Sequence, residues 1–312
     1  MRISVRGKKS WCSFEWRKDF VHTQYPARIQ QSQEQSDARN GWKKSIWTDK
    51  EKEDGLDIDA IALSTRQALQ RLDLPVAWDI IAEKMNEHGE QSLLSMDRQF
   101  PTIPSIDLEF SSTATGKEPL TVGIVDAVTS KPLLHCKIDH GISVNELIKQ
   151  QCGDRTDHAA RVTASHIRKW MYAELPALTP HQLFDRLQEL NFSFSLEWHT
   201  ALPENGDIGL LEKFFRKHKL DPAKVLPPLE RRYSPARLLR WELAWANGIK
   251  WEDHEIKRYS LERMYLLLVP DGEYKYIHHD AEVDAIKQAD VTRAVLQLVK
   301  TGGDKGKGKG KH

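Results

Sequence analysis

The chain is short of cysteine and has no long apolar run. Its three cysteines, Cys12, Cys136 and Cys152, make neither a paired disulfide framework nor a metal-binding spacing, which is typical of a reducing compartment. No apolar run approaches the length that crosses a bilayer, and the first residues lack the apolar core of a signal peptide. We therefore expect an intracellular protein, nuclear or cytoplasmic, with no membrane partner.

A strong excess of one charge is also absent. The chain has 46 Lys and Arg against 45 Asp and Glu, a formal net charge of +1, so its total charge selects no class of partner. The two ends are nevertheless basic, MRISVRGKK and GGDKGKGKGKH. Such Lys/Gly-rich ends bury no apolar surface, so we expect them to be disordered, either as solubilising tails or as contacts to the phosphates of nucleic acid.

Composition divides the chain into four parts. Residues 1–45 are polar and residues 303–312 are a Lys/Gly tail, and both are predicted to be disordered. Residues 46–100 are predicted to be a small helical module, because ALSTRQALQRL and AWDIIAEKMNEH carry apolar residues at helical spacing. Residues 101–302 then form a larger domain.

The small helical module resembles a Myb/SANT-type module. SIWTDKEKEDGL places a Trp and an acidic run at the start of one helix, and WDIIAEKM opens the next. The gap from Trp47 to Trp78 is longer than that family uses, and the following EQSLLSMDRQF lacks the basic residues of a DNA-reading helix. A plain helical packing module is therefore favoured, and a DNA-reading module of a transcription or chromatin factor is the alternative.

The larger domain is predicted to be α/β, with a mixed sheet flanked by helices. Short apolar runs separated by Gly, Ser, Thr and Lys predict three consecutive antiparallel strands, and an alternating aromatic run predicts a fourth strand further along. The predicted strands are 103–110, 120–127, 133–138 and 192–199. The predicted helical stretches are 143–190, 208–218, 234–245, 260–270 and 280–299. Thr179 and Pro180 are the expected cap and first residue of one helix.

The first predicted strand carries two carboxylates, in SIDLEFSS. Asp107 and Glu109 are two positions apart, so in a strand their side chains point to the same face. Like charges at that separation repel and raise each other's pKa unless something positive lies between them. The end of a strand meeting solvent is the ordinary cause of such a pair, and a catalytic pair is the alternative.

The sequence HHDAEVDA opens the last predicted helix. Asp284 lies one turn beyond Ala281, and His279 lies just ahead of the helix, where it could lean over the group that Asp284 faces. The small side chains of Ala281 and Ala285 predict that this helix approaches a sheet closely.

A D-x-E strand followed by an H-x-A-x-x-D helix is similar to the motif order of the DEDDh exonuclease superfamily. That superfamily includes RNase T, oligoribonuclease and the proofreading subunit of bacterial DNA polymerase III. The resemblance extends from Pro101 to Lys300, includes VGIVDAVTSKPLLHCKIDHG as the second and third strands, and implies an RNase H-like fold. The family's middle Asp is best matched by Asp207, which follows FSFSLEWH and precedes IGLLEKFF; Glu197 and Asp185 are the alternatives.

The resemblance implies a 3′–5′ exonuclease that acts on single-stranded DNA or RNA with two Mg²⁺ or Mn²⁺ ions. It implies a bridging ligand in Asp107, ligands of the water-bearing ion in Glu109 and Asp284, a ligand of the other ion in Asp207, and a general base in His279. Such hard cations prefer carboxylate oxygens, and a pair about 3.5–4 Å apart stabilises both the attacking and the leaving oxygen. The alternative is an RNase H-like scaffold that binds nucleic acid or protein without cutting.

Overall fold

A mixed six-stranded sheet lies at the centre of the part of the chain that the computed structural model describes. The described residues are 55, 57–71, 79–86, 103–113, 116–199, 206–246, 260–275, 277 and 279–306. All of them belong to one compact unit, Ser45–His312. The predicted disordered region 1–45, the two tryptophans of the Myb/SANT-like pattern and residues 307–312 lie outside the described residues.

The first three strands form the predicted antiparallel meander. The strands are β1 (Pro104–Thr113), β2 (Gly116–Asp126), β3 (Pro132–Ile138), β4 (Ala177–Leu178), β5 (Ser195–Glu197) and β6 (Arg232–Tyr233). Their order in the sheet is β4-β3-β2-β1-β5-β6. Strand β5 is parallel to β1, β6 is parallel to β5, and β4 is parallel to β3. The prediction of an α/β domain with a mixed sheet flanked by helices is confirmed.

Helices occupy most of the chain between and after the strands. The helices are α1 (Ile58–Arg71), α2 (79–86), α3 (Val144–Cys152), α4 (His158–Met171), α5 (Pro180–Leu190), α6 (Asp207–Lys217), α7 (Pro235–Ala246), α8 (Leu261–Leu268) and α9 (Ala281–Gly306). Thr179 caps α5, its hydroxyl accepting from the Gln182 N–H while the Gln182 side chain accepts from the Thr179 N–H, and Pro180 is the first helical residue, as predicted. Helix α9 continues four residues into the predicted tail 303–312.

The fourth strand is shorter than the predicted 192–199. Strand β5 covers three residues, Ser195–Glu197, although Phe192 and Phe194 before it are buried. The Phe194 ring stacks on Tyr233 of β6, with 4.7 Å between the ring centroids. The alternation of aromatic residues therefore reflects side chains that pack beneath the sheet edge, and not a long strand.

The two faces of β1 have different roles. Ile106 and Leu108 point into a core that also includes buried residues of α5 and α6, such as Leu183 and Phe215. Asp107 and Glu109 alternate with them, and the opposite face of the sheet is covered by α4 and α9. The two carboxylates thus lie on a helix-covered face, and not at a strand end in solvent.

Helix α9 lies directly against β2 at Gly123. A methyl group at Gly123 would overlap the backbone of Ala281 and Glu282, so glycine is required for this approach. Gly123 is the register partner of Asp107, so the contact brings the start of α9 beside that carboxylate. The predicted close approach of the last helix is confirmed. The first half of α9 is buried nearly all round, because α1 and α8 cover its other side.

Helix α1 packs against α8 and α9 within the same unit as the sheet. The Arg66 guanidinium donates to the carbonyl of Leu267 at 2.9 Å. Within the described ranges, no helix is long and apolar enough to span a membrane.

Candidate functional site

A cleft of about 960 Å³ opens on the face of the sheet that α4 and α9 cover. It is bounded by β1, α4 and the first residues of α6, α8 and α9. The five side chains predicted from the sequence all line it: Asp107, Glu109, Asp207, His279 and Asp284. Elements far apart in the chain therefore bring the predicted residues to one place.

The two acids of β1 form the floor of this cleft. Glu109 is buried, with 7% of its surface exposed, and Asp107 is half-buried. The Gln288 amide of α9 donates to Asp107 Oδ1 at 2.9 Å. The predicted same-face arrangement of the pair is therefore present, with a polar group of the closing helix against one of its members.

The start of α9 supplies the third acid and the histidine. The backbone N–H of His279 donates to Asp284 Oδ2 at 3.1 Å, and Nδ1 of its ring lies 4.0 Å from Glu109 Oε1. His279 has a φ of 54°, a left-handed conformation that is uncommon outside glycine, and its side chain is 62% exposed. The imidazole thus leans over the acids from the open side of the cleft, as predicted.

A buried lysine fixes the other oxygen of Asp284. The Lys287 ammonium donates to Asp284 Oδ1 at 2.8 Å and also to the Ile277 carbonyl. Its side chain is fully buried. Because both Asp284 oxygens accept a hydrogen bond, the carboxylate is held in one orientation.

Asp207 is the candidate that reaches the cleft from the middle of the chain. It is the first residue of α6, and the backbone N–H of Leu108 on β1 donates to its carboxylate. Glu197 is fully buried beneath Gly206 and accepts from the Ile208 N–H at 3.0 Å, which caps α6. Asp185 is exposed on α5 beside a second cavity. Of the three sequence candidates, Asp207 is the one that lines the cleft.

Burial and mutual repulsion raise the pKa values of three acids in the cleft. Burial, followed by the charge of Asp284, raises the pKa of Glu109 to about 8, although Lys169 opposes the shift. Burial raises the pKa of Asp107 well above its usual range, and the charges of Asp207, Asp284 and Glu109 add to the effect. Burial and the charge of Glu197 likewise raise the pKa of Asp207. Each of these shifts favours the protonated form of the acid relative to a free carboxyl group.

One group of side chains among the described residues has the spacing of a cation site. Ligand atoms of Glu109, His279 and Asp284 all lie within 4.8 Å of one another. Asp107 and Asp207 line the same cleft but are not members of this group. The arrangement offers carboxylate oxygens, which suit a hard divalent cation, together with one imidazole.

Helix α4 forms a wall of the cleft that the sequence did not indicate. His158, Val162 and His166 line it, and the Lys169 ammonium donates to the His279 carbonyl at 3.1 Å. Glu262 of α8 also lines the cleft and adds to the repulsion on Asp107. The sequence HAARVTASHIRKWM shows a basic helix that contains histidines. Nothing in the spacing of its residues predicts that this helix lies beside the acids.

The cleft thus brings acids from β1, α6 and α9 together beneath an exposed imidazole. Similarity to known proteins adds nothing to this geometry: comparison with models of protein families, with curated proteins and with solved structures finds no match for this chain.

Proposed function

We propose that the chain is a metal-dependent 3′–5′ exonuclease that hydrolyses phosphodiester bonds of single-stranded DNA or RNA. The observation that carries the proposal is the meeting of Asp107, Glu109, Asp207 and Asp284 in one cleft, with His279 on its open side. The central position of β1 between β2 and β5, and the closing helix α9, also support the RNase H-like fold that the sequence resemblance implies.

The donor set fits two Mg²⁺ or Mn²⁺ ions. Glu109 and Asp284 lie with His279 in a group narrow enough for one cation, while Asp107 and Asp207 line the same cleft. Burial, followed by the charges of neighbouring acids, raises the pKa of Asp107 and of Glu109, and perturbed acids that line a cleft are typical of functional sites. When bound, such ions would activate a water and stabilise the developing charge on the phosphate.

The side chains that line the cleft would then have separate roles in the hydrolysis. Asp107, Glu109, Asp207 and Asp284 would hold the ions, and the scissile phosphate would lie over the floor formed by β1. The exposed His279 imidazole would take the proton of the attacking water while the bond between phosphorus and the 3′ oxygen breaks. A positioned general base of this kind contributes about 10²–10⁴ in rate.

A scaffold that binds nucleic acid or protein without cutting is the second candidate. The observation that favours it is the ion pair between Lys287 and Asp284, because a resident ammonium already balances one of the acids. The position of Asp207 in the cleft, and not elsewhere, favours the catalytic candidate.

The two candidates differ in a nuclease assay. Single-stranded DNA and RNA are labelled at the 5′ or the 3′ end and incubated with Mg²⁺, Mn²⁺ or a chelator. A 3′–5′ exonuclease converts the 5′-labelled strand to a ladder and releases labelled mononucleotide from the 3′-labelled strand. It does so only when Mg²⁺ or Mn²⁺ is present, and not in chelator. Binding of the strands without any metal-dependent product would establish the scaffold, and a ladder from the 3′-labelled strand would contradict the polarity.

A further inference from the structure

A buried amide links the closing helix to the central acid of the cleft. Gln288 lies one helical turn beyond Asp284, on the same side of α9. Only 1% of its surface is exposed, and its Nε2 donates to Asp107 Oδ1 at 2.9 Å. The donor is therefore buried on the protein side, while the carboxylate that accepts is half-buried and faces the cleft.

The other end of the same amide is held by a buried serine. The hydroxyl of Ser105 lies 3.2 Å from Gln288 Oε1 and 2.8 Å from the Ala285 carbonyl. Ser105 is fully buried, two residues before Asp107 on the same face of β1. The hydroxyl has one proton to share between these two acceptors, and the amide directs its NH₂ towards the Asp107 carboxylate, which accepts.

We propose that Gln288 is a positioning residue that orients the Asp107 carboxylate for a divalent cation, an inference that rests on the proposed function. The amide fixes Oδ1 from the protein side, so that Oδ2 remains for the ion. It does so without adding a positive charge that would compete with the cation, whereas the neighbouring Asp284 is held by the charged Lys287. Hydrogen-bonding partners behind a ligand typically change metal affinity by about 10–100-fold when they are lost.

The test is Mn²⁺ binding by the full chain, followed as the loss of the free Mn²⁺ signal in electron paramagnetic resonance. Gln288→Met keeps the length of the side chain and removes both hydrogen-bonding atoms. We expect it to raise the Kd for Mn²⁺ by about 10–100-fold, and cleavage to be restored as Mn²⁺ is increased. A role confined to packing would leave the Kd unchanged and would not give that restoration.

The chain offers a matched control on the same strand. Gln151 of α3 accepts from the Ser111 hydroxyl at 3.1 Å, a second buried Gln–Ser pair on β1, and its amide does not line the cleft. Gln151→Met should lower the melting temperature in the same way as Gln288→Met while leaving the Kd for Mn²⁺ unchanged. If Gln288→Met does not fold, Ser105→Ala serves in its place. This change removes the serine hydroxyl beside the Gln288 amide but keeps the Nε2 donor, so it should raise the Kd for Mn²⁺ by a smaller factor.

The outcomes separate this inference from the function on which it rests. If the wild-type chain binds Mn²⁺ and a folded Gln288 or Ser105 variant binds it equally well, Gln288 does not position the ligand and the proposed function stands. If the wild-type chain neither binds Mn²⁺ nor cleaves, the proposed function is wrong and the inference falls with it.

Discussion

Two groups of acids contact helix α9, and they differ in how their charge is balanced. At the turn between β2 and β3, Asp126 Oδ1 accepts from the backbone N–H groups of Val128 and Thr129 at 2.9 and 2.8 Å. Arg293 of α9 donates to the carbonyl of Val128 at 3.2 Å, and it also pairs with Asp290. We refer to Asp126, Asp290 and Arg293 as the turn cluster.

The cleft contains more acids than the turn cluster, from β1, α6 and α9. Burial raises the pKa of Asp107 most, and the charges of Asp207, Asp284 and Glu109 raise it further. Burial raises the pKa of Asp290 in the turn cluster as well, but there Arg293 acts in the opposite direction. At Asp290 a resident arginine opposes the shift in pKa, whereas at Asp107 burial and the neighbouring acids act in the same direction, which is why we propose that the cleft, and not the turn cluster, takes a cation.

The largest expected effect is on catalysis at the cleft. Because His279 would take the proton of the attacking water, His279→Ala should lower kcat for single-stranded substrate by about 10²–10⁴-fold. Steady-state cleavage in saturating Mn²⁺ measures it. His181→Ala on the exposed side of α5 is the matched control and should keep full activity. Equal kcat for the two variants would remove His279 from the mechanism.

The turn cluster should respond in stability and not in activity. Arg293→Met removes the cation that pairs with Asp290 and the donor to the Val128 carbonyl, although the Ser130 hydroxyl still donates to Asp290, and loss of one partner of a buried ion pair costs about 3–5 kcal/mol. Urea denaturation measures the difference in the free energy of unfolding, while the Mn²⁺ response of the folded protein should be unchanged. Arg186→Met, which breaks an exposed ion pair with Glu189, should cost about 0–1 kcal/mol. If Arg293→Met lowered the free energy of unfolding no more than Arg186→Met does, Arg293 would not be the residue that balances the charge of Asp290.

The stability of the metal-free protein should depend on pH through Glu109. Its pKa is about 8 in the folded chain, above the ordinary value of 4.5 that applies when the chain is unfolded. The folded state therefore binds more protons between these values, so stability should fall by a few kcal/mol as the pH rises from about 4.5 to 8. Thermal melts in chelator across this range measure the slope, which Glu109→Gln should flatten. A wild-type melting temperature that rises through the same window would contradict the shifted pKa.

The main features of the cleft were readable from sequence because they depend on local geometry. The same-face placement of Asp107 and Glu109 follows from the two-residue period of a strand, and the close approach of α9 follows from its small residues. Asp207 was one of three candidates, since sequence separation alone does not say which acid reaches a distant strand. Asp207 is the first residue of α6, where the buried Glu197 accepts from the N–H of the next residue, Ile208.

Other features depend on contacts that no local pattern encodes. The two-residue strands β4 and β6 exist only because neighbouring strands pair with them. The placement of Glu262 and of the α4 face beside the acids depends on how α4 and α8 pack. The bond from Gln288 to Asp107 likewise depends on the register between α9 and β1.

The central claim, that the acids hold divalent cations for hydrolysis, is tested most directly by the shift in melting temperature that Mn²⁺ produces. At a concentration one hundred times the Kd, binding stabilises the folded chain by about 2.7 kcal/mol. Asp107→Ala should abolish the shift together with cleavage, whereas His279→Ala should lose most cleavage and keep the shift nearly intact; Asp185→Ala, outside the cleft, should keep both. If Asp107→Ala retained the wild-type shift in Mn²⁺, the cation would bind somewhere else and the exonuclease assignment would be wrong.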